Sequence, residues 1–308
     1  IVFRKGFARN AAIVAAKDAA NENDTARKRF EIMCRAVFVK FLACTNVPDV
    51  NRYRGEYRAI RLLYQSLKED EEKADVIDVI RQLHQVVDKA IVTQDPVSAE
   101  GKEPYDISQI DFDKLRREFE RSKAKNTTVQ NLKAALEKRL KRLLERNPLR
   151  TNFQTHYEKI VADYNREKDR VTIEKTFEEL MRAAKTFDEE EHRAMREGLD
   201  EETLALFDLL RKPDLTAAEI KRIKKVAVEL LQKLKAEKLR IDHWRDKETT
   251  RDAVRLTIRD FLWSDTSGLP VERYTETEVQ TRADEIYVHV YRAYPTLPSP
   301  IYNQQMVC

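Results

Sequence analysis

Apolar residues recur along this chain with the period of a helix. Phe30, Met33, Cys34, Val37, Phe38, Phe41 and Leu42 fall at i, i+3, i+4, i+7, i+8, i+11 and i+12, which predicts one apolar stripe on a helix that starts near Asp24. Pro48 separates it from a second helix, on which Tyr53, Tyr57, Ile60, Tyr64 and Leu67 share a face. A third, from Glu71 to Val92, carries Val76, Ile80, Leu83, Val87 and Ala90. Short connections between long helices favour antiparallel neighbours, so residues 24–92 read as a helical bundle.

The pattern stops between Thr93 and Ile110, where Pro96, Gly101 and Pro104 stand without periodicity. It resumes with Phe112, Leu115 and Phe119, then with Val129, Leu132, Leu136, Leu140 and Leu143 up to Pro148. Phe153, Tyr157, Ile160 and Tyr164 mark a further helix. Ile173, Phe177, Leu180, Met181 and Ala184 mark another, which ends at Gly198 as its C′ residue. Thr216 with Glu219, and Thr275 with Glu278, form capping-box sequences before the last apolar stripes. Residues Ile286 to Arg292 also alternate like a strand, but the preceding cap decides for a helix. The expectation is an all-α chain without substantial sheet. It divides into an N-terminal helical region (1–92), a linker or long loop (93–110) and a C-terminal helical domain (111–308). The uncharged, proline-bearing tail from Ala293 to Cys308 forms a surface strap.

Composition then removes whole classes of chemistry. The 308 residues include only 5 glycines, no two of them close enough for GxGxxG or GxxxxGK[ST], so nucleotide binding by those loops is excluded. The same scarcity forbids a GxSxG nucleophile elbow. Three cysteines, Cys34, Cys44 and Cys308, without metal-type spacing read as reduced thiols in a cytoplasmic protein. No run approaches the ~20 apolar residues of a membrane span. The first residue is Ile1 rather than Met, which is expected of a piece of a longer protein.

Two weak motifs remain. Asp49 with Glu71 and Lys73 matches a PD…(D/E)xK nuclease formally, but that chemistry needs Glu and Lys on one face of a strand. On a helix, positions i and i+2 point about 200° apart. Glu189 and His192 form one Glu-x-x-His unit, and a dimetal bundle requires two; no other histidine has an acidic residue three positions earlier. Both read as ordinary helical charges.

Charge distribution supplies the strongest candidate. Lys114 to Arg150 holds 13 Lys/Arg against 4 Asp/Glu, while Asp188 to Glu202 holds eight carboxylates against two arginines. Lys133, Lys138, Arg139, Lys141, Arg142 and Arg146 are the candidate contacts, with Lys133, Arg139 and Arg142 placed opposite the leucine stripe. One use of such a face is phosphate contact. The other is internal pairing with the acidic block. The tyrosines among the arginines of the second helix fit a core role better than base stacking.

Several segments resemble a known family. They are Val86-Val87-Asp88-Lys89-Ala90-Ile91, Arg150-Thr151-Asn152-Phe153 leading to Tyr164-Asn165, Gly198-Leu199-Asp200-Glu201-Glu202 through Leu210, and Ile241-Asp242-His243-Trp244 followed by Arg251-Asp252-Ala253-Val254. In order and spacing they are similar to the C-terminal helical region of the type I restriction enzyme motor and endonuclease subunit (the R subunit). The resemblance implies a parent that is an ATP- and Mg2+-dependent, DNA-translocating endonuclease. It also implies partners: the methyltransferase and specificity subunits of a restriction-modification complex. It carries over no catalytic or metal-binding residue and no cofactor for this region, and it suggests a docking role. The rival expectation is a free-standing helical protein that binds nucleic acid non-specifically through residues 114–150.

Overall fold

The computed structural model describes residues 7–91, 111–166 and 170–303. Among them stand thirteen α-helices, one 3-10 helix (Pro48–Tyr53) and no strand. The expected linker 93–110, the Cys308 thiol and the end of the tail lie outside the described residues.

The chain forms two compact units. The first comprises residues 1–140 and 153–189, the second residues 141–152 and 190–308. Helices from both sides of segment 93–110 thus belong to the first unit.

That unit contains α1 (Phe7–Ala20), α2 (Asp24–Ala43), α3 (Arg54–Lys73), α4 (Val76–Ile91), α5 (Phe112–Arg121) and most of α6 (Lys125–Arg146), α7 (Thr151–Arg166) and α8 (Arg170–Glu191). Asn23 caps α2 by accepting from the Ala26 amide at 2.9 Å, which fixes the start expected near Asp24. The helix expected to begin at Glu71 begins at Val76, and Glu71 to Lys73 still belong to α3. Ala74 is extended (ψ 122°), and Asp75 accepts from the Ile77 amide at 2.8 Å, so the chain stops and restarts there. The alanine-rich α1 had no periodic stripe and was not expected; alanine's helix propensity suffices once neighbours cover it.

Packing in this unit joins α1, α2 and α3, and separately α4 and α5. Phe119 of α5 and Phe177 of α8 stack at 4.0 Å, both fully buried. Phe38 meets Tyr57 and Tyr64 edge to face, and Phe41 stacks on Tyr57 at 4.1 Å. The α2 stripe is only partly covered, however. Cys34 is buried, whereas Met33, Val37 and Leu42 are exposed. The stripe wraps too far round the helix for α3 alone to cover it.

The second unit contains α9 (Arg193–Glu197), α10 (Glu201–Leu210), α11 (Ala217–Glu237), α12 (Glu248–Leu262) and α13 (Glu276–Ala293). His192 interrupts the helix expected to run to Gly198. Gly198 itself closes α9 in the left-handed conformation (φ 68°). Its amide bonds Met195, and the Leu199 amide bonds Ala194, which together make a Schellman end. Both expected capping boxes are present at Thr216–Glu219 and Thr275–Glu278. Residues 286–292 are helical, as the cap required.

The core of this unit gathers Leu206, Phe207, Leu230, Ile258 and Ile286 around Trp244. Its tail corrects the expectation of a surface strap. Tyr294 is fully buried, Trp244 Nε1 donates to its carbonyl at 2.8 Å, and Ser299 is buried with its hydroxyl on the Ala293 carbonyl. An uncharged tail need not be exposed: Tyr294, Leu297 and Ile301 supply apolar contact to the core.

Candidate functional site in the basic and acidic segments

Of the six nominated basic side chains, the structure turns Lys133 inward. It is buried and its ammonium pairs with Asp24, whose carboxylate also accepts from Gln130 (3.0 Å) and Asn165 (3.1 Å). Burial alone would raise the Asp24 pKa, but these three donors outweigh it and hold the carboxyl below its usual value. Lys133 was expected on the outer side of α6. It follows Leu132 directly in the stripe, and the inward arc is wide enough to take it.

The clamp extends through neighbouring polar groups. Tyr164 donates to the carbonyls of Asn21 (3.1 Å) and Glu22 (2.9 Å), and burial pushes its pKa up. Asp18 accepts from the Thr127 amide at 3.0 Å, and Asn126 donates to Asp18 at 3.2 Å. The α1–α2 turn is thus held by the starts of α6 and the end of α7 through hydrogen bonds rather than apolar burial.

Lys138 is exposed yet engaged. Its ammonium donates to the carbonyls of Glu71 (2.8 Å) and Glu72 (2.7 Å), the last turn of α3. A cation there satisfies carbonyls that lack helical partners and complements the helix dipole. Arg139 donates to Asp188 at 3.1 Å. Arg146 is half-buried, and its carbonyl accepts from Tyr302. Lys141 and Arg142 point to solvent.

The strongest charged arrangement was not nominated. Arg150, 2% exposed, donates to Glu190 at 2.8 Å and to both oxygens of Glu201 at 3.1 and 3.4 Å. Nearby, Asp208 takes Asn147 at 2.6 Å and pairs with Arg193. Burial would lower the Arg150 pKa, but Glu201 and then Glu190 raise it overall. Arg150 and Glu201 both stand in the segments that carry the family resemblance, but their pairing shows only in the fold. The acidic block 188–202 therefore meets the basic block internally, within each unit.

The two weak motifs do not assemble. Asp49 lies in the exposed 3-10 helix. Glu71 and Lys73 close α3 rather than open a helix, and Glu71 pairs with Lys68 at 3.0 Å. Glu189 lies in the last turn of α8, while His192 sits at the break after it. Among the described residues no three His, Cys, Asp or Glu side chains are placed to hold a metal ion, and no helix is long and apolar enough to cross a membrane.

Comparison with known families gives one match. The model of the C-terminal region of type I restriction enzyme HindI endonuclease subunit-like proteins matches residues 3–281. Searches of curated proteins and of solved structures find no match.

Proposed function

The chain belongs to the type I restriction enzyme HindI endonuclease subunit-like family as its C-terminal domain, and we propose that this domain docks the motor subunit onto the methyltransferase–specificity core. One observation carries the reading. Leu256 of α12, Trp263 just after it, and Val288 and Tyr291 of α13 are exposed; in addition Arg255 stacks on Tyr287 at 4.2 Å and Arg245 on Tyr291 at 5.3 Å. Tryptophan, tyrosine and arginine are the residues that dominate binding energy at protein interfaces. Interior charges of this domain serve its own fold, so specificity falls to such exposed groups and to rim charges such as Lys141 and Arg142.

Co-purification of the full motor subunit with the modification core tests this. Trp263→Ala with Tyr291→Ala is expected to weaken association at least tenfold, about 1.4 kcal/mol, while secondary structure is retained. Unimpaired assembly after deletion of residues 111–308 overturns the reading. DNA binding by the domain alone would rest on Lys141 and Arg142. Its expected form is weak, salt-sensitive and indifferent to sequence.

A further inference from the structure

A second surface lies in the other unit, on α2. The face of this helix turned away from Cys34 and Phe38 carries Ile32, Ala36, Val39 and Ala43, at i, i+4, i+7 and i+11. All four are exposed, Ile32 at 64% and Val39 at 69%. That spacing is the 4-3-4 alternation of a coiled-coil seam, with alanines that allow close helix approach. A helix apolar on two faces needs two neighbours, and in this unit α3 covers only the Cys34–Phe38–Phe41 side.

Charge identifies what fits on the open side. By helical geometry Lys28 and Arg35 flank one edge of the seam, Arg29 and Lys40 the other. Over residues 25–61 eight exposed basic side chains stand against two exposed acidic ones, Asp49 and Glu56. A second copy of α2 would set like charges opposite one another along both edges. Phosphates would leave the apolar centre uncovered. A helix with its own apolar stripe and glutamates or aspartates on both flanks satisfies centre and edges together.

We propose that the outward face of α2, built on Ile32, Ala36, Val39 and Ala43, is a coiled-coil seam that receives an acidic amphipathic helix of a partner protein. It is carried by other residues than the α12–α13 surface and does not depend on that docking role. The seam is present before the partner arrives, because α2 is already fixed by its Asn23 cap and by the Asp24 clamp. The partner helix then orders on a rigid template, which lowers the entropy cost of association.

The test uses the 308-residue chain and two synthetic helical peptides with leucine at a and d, one with glutamate and one with lysine at e and g. Affinity is read by fluorescence anisotropy, and the site by hydrogen exchange along α2. The glutamate peptide is expected to bind at least tenfold tighter than its lysine twin and to protect α2. I32E/V39E is expected to lose that binding tenfold or more, with an unchanged melting temperature, since both side chains are already in water and glutamate is a good helix former. K28E/R35E/K40E is expected to invert the preference, which separates charge matching from loss of fold. Equal binding of the two peptides, or binding untouched by I32E/V39E, overturns the proposal. So does concentration-dependent dimerisation that I32E/V39E abolishes, which assigns the face to a second copy. Duplex DNA binding abolished by the same variant assigns it to nucleic acid and equally overturns the proposal.

Discussion

In the second unit α10 buries seven of its ten residues, with α11 and α13 packed against it. In the first unit the α1–α2 turn is held instead by Asp24, Lys133, Asn165 and Tyr164, and α2 leaves much of its apolar surface in water. Both regions come from the same amphipathic pattern. What separates them is how much apolar surface their neighbours can cover. Around α2, where coverage is incomplete, an ion pair and shared hydrogen bonds fix the geometry; the second unit also buries one ion cluster, Arg150 with Glu190 and Glu201, beside its apolar core. Such clusters hold only when every partner is present.

The comparison is most sharply broken at Trp244. Its ring is buried in the second core and its indole N–H holds the Tyr294 carbonyl, so Trp244→Ala removes contact and orphans a buried acceptor. A loss of roughly 3–5 kcal/mol is expected, read as a lower urea midpoint, with tail residues 294–303 losing hydrogen-exchange protection. A loss below about 1 kcal/mol would mean that apolar packing does not dominate in this unit.

Next in size is an effect of pH. His289 is buried against Tyr302, and since Tyr302 donates to the Arg146 carbonyl, Nε2 of His289 carries the proton shared at 3.0 Å. Burial, then Arg292, lowers its pKa from 6.5 to about 4. The folded state therefore binds fewer protons than the unfolded chain between these values. Stability from neutral burial is complete above pH 6.5 and falls as pH drops towards 4, by about 3 kcal/mol at most. Unfolding titrations across that window are expected to show the slope, and His289→Gln to flatten it.

A smaller effect is expected in the first unit. Lys133→Met leaves Asp24 half-buried without its cation, at a cost of about 2 kcal/mol. Asp24→Asn added to Lys133→Met removes the stranded charge and is expected to recover more than half of that. A double-mutant cycle by chemical denaturation measures the coupling. Strict additivity would show that the clamp is not an ion pair in solution.

Legibility followed the same division. Helix class, both capping boxes, the Gly198 stop and the Asp24 start were readable because each depends on residues within one turn. The exact boundary between α3 and α4 was not, since Lys138, 64 residues beyond Ala74, holds the last carbonyls of α3. Nor was the inward turn of Lys133, because a lysine beside a leucine stripe has no local mark that says whether an aspartate waits opposite. The charge blocks were visible as totals, and their pairing needed the fold. Arg150 and Arg142 look alike in the basic block, and only three-dimensional proximity to Glu190 and Glu201 distinguishes Arg150.

The smallest stability effect is expected at Lys141 and Arg142, and it sharpens the contrast with Lys133 and Arg139 most directly. All four lie on α6 within ten residues and carry the same charge. Two are engaged by Asp24 and Asp188; the other two project into solvent, where a charge contributes little to the folded state. Lys141→Glu with Arg142→Glu is therefore expected to change stability by less than about 0.5 kcal/mol. If these residues form the charged rim of the docking surface, the same pair of changes slows association with the modification core and weakens its dependence on salt, because rim charges act on the rate of encounter. Measuring association rates at two ionic strengths separates this from a loss of buried contact, which would appear in the dissociation rate. An unchanged association rate would leave the basic block with a structural role alone and move the proposed docking entirely to the exposed groups of α12 and α13.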